Sequence, residues 1–175
     1  MKSFTVSRVV LVFLAVFALA PACFADQTQD IAAVAAAENF LHLVDAGHYA
    51  DSWETSANYF QQQVPRPQWV EQLENIRPAL GPVLSRTVTS KHDATSLPRA
   101  PVGNYVVILL ATSFQNKKNS IETVTAMLDQ DGKWRVAGYY IQWLIQPNRN
   151  PTAKSHRKIS LQRGHFGFFV KGLLS

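Results

Sequence analysis

The sequence predicts an α+β domain, with N-terminal helices packed on one face of a curved antiparallel sheet of about four strands. Three observations carry this expectation. Apolar residues recur at helical spacing between Asp30 and Arg77, and the period changes to two after Pro82. The stretch Ile121–Trp143 then reads as two long strands joined at Asp131-Gly132, a pair suited to the positive φ angles of a tight type I′ turn.

The 175 residues leave room for one ordinary domain with appendages. Residues 1–25 read as an export signal: Lys2 and Arg8, an apolar run from Val9 to Ala20, then Pro21, Ala22 and Ala25, with cleavage expected after Ala25. The run is short for a membrane span. The protein is therefore expected to be exported, to the periplasm or outside the cell. Cys23 is the single cysteine and falls inside the expected leader, so a mature chain would have no thiol chemistry. A rival reading makes Cys23 the acylated first residue of an outer-membrane lipoprotein, although Pro21 and the position of Leu19 suit such a site poorly.

Charge is unevenly placed. Residues 26–148 hold nine Lys or Arg against twelve Asp or Glu, whereas residues from Arg149 onward hold six basic residues and no acid. A nucleic-acid partner calls for a basic face on the domain itself, and that footprint is absent. The domain is expected over 26–146, followed by a basic tail, 147–175, that lacks period and reads as disordered. Any membrane contact would run through this tail, where Phe166, Phe168, Phe169 and Leu173 would add apolar grip. A third reading docks the tail on the domain as an extra element.

Within the domain the elements follow in order. Asp30–Ala46 reads as a helix capped by Asp30 and ended at Gly47, with Ile31, Val34, Ala35, Leu41 and Val44 on its apolar side. Asp51 and Glu54 suggest a capping box opening a second helix through Trp53, Ala57 and Phe60. Pro67–Arg77 gives a third, lined by Trp69, Leu73 and Ile76. Strands are expected at Val83–His92 and Tyr105–Gln115, separated by the proline-stiffened Leu97–Gly103. In the hairpin, alternation places Glu122, Val124, Ala126 and Leu128 on one face, and Val136, Gly138 and Tyr140 on one face. Glycine at position 138, mid-strand, is a usual mark of a bulge, a bend or a close approach.

The pieces Phe40–Trp53, Trp69–Arg86, Leu97–Tyr105, Ile121–Thr125 and Asp131–Ile141 resemble an exported bacterial family, domain-of-unknown-function family 4019. The resemblance implies a cone of the nuclear-transport-factor-2-like or cystatin-like type. It brings no catalytic residues, because the family's function is unassigned. The tail after Gln146 departs from the family pattern.

Chemistry-bearing residues are sparse. The tryptophans Trp53, Trp69, Trp134 and Trp143 stand where helices should meet sheet, and either fill the core or wall a pocket. Glu122 precedes an apolar-facing strand; it reads as a structural ion pair with Arg77 or Arg86, or as a pocket acid or base. His42, Asp45 and His48 do not converge across Gly47, so no metal site is expected. No nucleophile elbow or phosphate-cradling glycine loop is present, and no cofactor is expected. Gln62-Gln63-Val64-Pro65-Arg66 lacks the glycine of a cystatin-type inhibitory segment. The expected role is a non-catalytic domain binding a small ligand or an envelope protein, with Trp53, Trp69, Arg77, Glu122 and Tyr140 as candidate lining. An enzyme using Glu122 is the alternative, and membrane-surface interaction through the tail another. An exposed sheet edge or cone mouth would also support a homodimer.

Overall fold

The computed structural model describes residues 22–145 and 162–168, with side chains over 29–143. The chain divides into two compact units, Met1–Ile31 and Ala32–Ser175; of the first, only residues 22–31 are among those described. Most of the expected leader, and residues 147–161 and 169–175 of the tail, lie outside the described residues.

Four helices precede the sheet: α1 (Ala22–Asp45), α2 (Tyr49–Glu54), α3 (Asn58–Gln63) and α4 (Arg66–Leu80). The first begins ahead of Asp30, which lies inside it and does not cap it. Its buried positions are Ala33, Ala37, Phe40, Leu41 and Val44, while Ile31 is exposed, so the apolar stripe is rotated from the expected one. The helix closes where Gly47 N–H donates to the Val44 carbonyl and His48 N–H to the Leu43 carbonyl. The expected capping box is not formed. Asp51 falls inside α2, which His48 precedes without a side-chain cap. A break at extended Ala57, whose N–H donates to the Val136 carbonyl at 2.8 Å, then splits off α3. The last helix runs past the expected end at Arg77 and contains Pro78 in its final turn.

The sheet is a meander in the order β1-β2-β3-β4-β5, every pair antiparallel. Its strands are β1 (Val83–Ala94), β2 (Tyr105–Phe114), β3 (Ser120–Leu128), β4 (Trp134–Ile145) and β5 (Gln162–Phe168). The fifth lies in the stretch expected to be disordered. It pairs with β4 from Tyr139↔Phe168 to Ile145↔Gln162, so this part of the tail is an added sheet element.

Two local features differ from the expected hairpin. Its loop spans 129–133 and is not a two-residue type I′ turn, because only Gly132 has positive φ (75°). Gly132 N–H donates to the Asp129 carbonyl, Asp129 N–H to the Lys133 carbonyl, and Lys133 N–H to Asp131 Oδ1. The Asp131 side chain thus takes a backbone bond that holds the wider loop. The second difference is in the alternation: a bulge, one of the features expected of Gly138, sets Thr125 opposite Gly138 but Ala126 opposite Val136, leaving Ala137 extra. The insertion changes which side chains face inward. Past it, Tyr139 and Ile141 are fully buried, and Tyr140 is not.

The helices pack against one face of this sheet. Phe40, Leu41, Phe60, Trp69, Leu73 and Leu80 from the helical segment form one core with Val106, Ile108, Leu110, Phe114, Val124, Ala126, Val136, Tyr139 and Ile141. Burying a large side chain of this kind contributes roughly 1.5–3 kcal/mol.

Candidate functional site

The inward face of β3 carries one charged residue. Glu122 stands opposite Leu110 of β2 and Ile141 of β4, and its side chain is wholly buried. Burial of a carboxylate in such surroundings is stable only with partners of suitable charge and geometry. Four donor contacts come from three neighbouring strands. Oε2 accepts from Arg86 Nε at 2.6 Å and Thr112 Oγ1 at 2.5 Å; Oε1 accepts from Arg86 Nη2 at 3.2 Å and from the Tyr139 hydroxyl. Arg86 and Thr112 are directly opposed across β1 and β2, which explains why both reach the same oxygen.

Arg86 extends the network to the helices. Its Nη1 donates to Asp45 Oδ2 at 2.6 Å and its Nη2 to Asp45 Oδ1 at 3.1 Å. Arg77 Nη2, from α4, donates to the same Oδ1 at 2.8 Å. The Arg77 guanidinium lies over the Phe114 ring, 5.3 Å from its centroid. Two carboxylates and two guanidiniums balance one another. Exposure falls from the helix end inward: 27% for the Asp45 side chain, 16% for Arg86, 8% for Arg77 and 0% for Glu122.

Electrostatics follow from these contacts. Burial works against the charged form of Arg86, yet its hydrogen bonds to Asp45 and Glu122, with their charges, outweigh it and raise its pKa further above the ordinary value. Burial pushes the Tyr139 phenol well above 10.0, and the adjacent Glu122 charge pushes it the same way. Tyr139 is therefore a neutral donor at any physiological pH.

An aromatic group backs the network. Tyr139 meets Phe40 edge-on at 5.7 Å and Trp69 at 6.2 Å, and Trp69 meets Phe60 edge-on at 5.3 Å. The Trp69 indole N–H lies 3.0 Å from Ser52 Oγ and 3.1 Å from the Tyr49 carbonyl. Trp53 is half-buried against the same core, its indole N–H donating to the Val64 carbonyl at 2.7 Å.

Of the five lining candidates, Arg77 and Glu122 share this network, joined through Asp45 and Arg86, and Trp69 touches it through Tyr139. Trp53 braces α2 against the end of α3. Tyr140 is on the other face of the sheet, opposite Thr123, because the bulge at Ala137 hands the inward position to Tyr139. Sequence reasoning missed Asp45, Thr112 and Tyr139 as members; Gly138 was the one signal that pointed to the bulge. Among the described residues no group of three His, Cys, Asp or Glu side chains is placed to hold a metal ion.

The model of a family described as "Protein of unknown function (DUF4019)" matches residues 36–139, which takes in Asp45, Arg77, Arg86, Thr112, Glu122 and Tyr139. No curated protein and no solved structure matches the chain.

Proposed function

Since the chain belongs to the DUF4019 family, whose description names no reaction or ligand, we propose its function from the site itself: an exported, non-catalytic domain that binds a small ligand or a partner protein of the cell envelope. The observation that carries this reading is the saturation of Glu122. All of its donors are in place and its side chain has no exposure, so neither oxygen is offered to a reacting group. A general base must stand within hydrogen-bond reach of the proton it removes. Glu122 instead serves as the keystone joining β1, β2, β3 and β4, and through Arg86 it holds the sheet to the end of α1. Export is supported by the three-part layout of residues 1–25.

Substitution of Glu122 by glutamine tests the reading. A keystone carboxylate gives a protein of much lower stability. A Glu122→Gln protein as stable as its parent would show that the carboxylate is held for chemistry and would overturn the reading. Native mass spectrometry of the gently purified chain then looks for the bound species, either an extra mass released on denaturation or a co-purifying protein.

A further inference from the structure

Arg77 and Arg86 converge on one carboxylate that does not use all they offer. The two oxygens of Asp45 take contacts from Arg86 Nη1, Arg86 Nη2 and Arg77 Nη2. Nη1 of Arg77 is buried and has no hydrogen-bond partner among the described residues. Buried N–H groups are nearly always satisfied in folded proteins, and a charged one left over is a costly exception.

Asp45 is also the most exposed member of the network. It is the last residue of α1, where the exposed carbonyl ends of the helix oppose a negative charge. Its side chain is 27% exposed, against none for Glu122. We infer that Asp45 is a built-in occupant of an oxyanion site, and that the Arg77–Arg86 pair takes the phosphate- or sulfate-type group of a ligand in its place. The inference rests on the binding role proposed above and gives that role a ligand class.

Geometry and charge select this chemistry. A planar carboxylate offers two oxygens, whereas a tetrahedral monoester offers three beyond its ester link. That is enough for the contacts Asp45 now makes and for Arg77 Nη1 as well. Guanidinium forks suit such groups because they present paired, coplanar donors. Phe114 already packs against the Arg77 guanidinium, and Glu122 anchors Arg86. With Asp45 displaced, the two guanidiniums exceed Glu122 by one positive charge, which the negative charge of such an oxyanion offsets.

The test is calorimetric titration of the full chain and of its Asp45→Asn and Arg77→Gln variants. The probes are inorganic phosphate, glycerol 3-phosphate and phosphatidic acid vesicles, each against sodium chloride of matched ionic strength. Saturable binding is expected in the parent, about tenfold tighter or more in Asp45→Asn because the internal competitor is gone. It is expected to vanish in an Arg77→Gln protein that keeps the parent circular dichroism. Response to vesicles alone assigns a lipid headgroup, and response to glycerol 3-phosphate assigns a soluble ester; both uphold the site. Equal heats with phosphate and chloride, or binding unchanged in Arg77→Gln, overturn it. The parent and Arg77→Gln decide the matter even if Asp45→Asn does not fold. A neutral ligand found by native mass spectrometry, with no response to any oxyanion, would remove this inference and leave the binding role standing.

Discussion

Tyr139 donates its phenol to Glu122 across the β3–β4 pair although the two are not register partners: Glu122 stands opposite Ile141. The diagonal contact exists because the extra residue Ala137 brings Tyr139 to the inward face. A single backbone insertion therefore completes the shell around the buried carboxylate.

Removing that carboxylate should be expensive. Glu122→Ala leaves Arg86, Thr112 and Tyr139 facing a buried gap, and a cost of about 4 kcal/mol is expected. Glu122→Gln keeps the volume but loses the charge, for about 3 kcal/mol. Urea unfolding followed by circular dichroism gives both values.

Tyr139→Phe should cost about 2 kcal/mol near neutral pH, the usual size of a hydrogen bond to a charged group. The loss depends on pH. The folded phenol has its pKa raised above 10.0, so its contribution is complete below that value. It declines as pH rises further, because the unfolded phenol ionises first. Unfolding midpoints of parent and variant should therefore approach each other above pH 10.0.

The hairpin tip behaves in the opposite sense. Arg135 grips Asp131 through two contacts of 2.7 Å and holds its carboxyl well below the ordinary 3.8. A depressed folded pKa contributes stability above the ordinary value, which is lost as pH falls below it. Asp131→Asn should thus be less stable than the parent at neutral pH. The two should converge in strongly acid solution, as thermal melts across that range would show.

Two glycines of equal φ should respond differently to alanine. Gly132 has φ 75° with nothing within 4 Å of an added Cβ, so backbone strain alone is expected, about 1 kcal/mol. Gly81 combines φ 75° with ψ −177°, a region close to exclusive to glycine. Its added Cβ would also stand 3.1 Å from Gln115 Cβ and Asn116 Nδ2. Gly81→Ala should cost about 3 kcal/mol, measured by denaturant unfolding.

What the sequence made legible was whatever local pattern controls. The first and last helices, the change of period and the turn at Gly132 could be read from spacing and turn residues, whereas the break at Ala57 that divides the second could not. So could Glu122 as an ion-paired residue, with Arg86 among its named partners. The inward position of Tyr139 was hidden, because alternation counted straight through Ala137 assigns Tyr140 instead. Asp45 was hidden for another reason: its partners lie 32 and 41 residues away, and no local period encodes them. The strand β5 escaped notice because Gly164 and Gly167 interrupt the β-branched and aromatic signal that marks a strand.

The meander order has a kinetic consequence. Each strand hydrogen-bonds only to its neighbours in sequence, so the sheet can zip by short loop closures. The Asp45 contacts are different, since they reach outside the strand ladder, and the one with Arg86 joins helix to sheet across 41 residues. Contacts of that reach form late, after the strands they join are in place. Weakening Asp45 should accordingly hasten unfolding and leave the refolding rate almost unchanged, making the helix–sheet ion pairs a clasp on the finished molecule rather than a guide to its assembly.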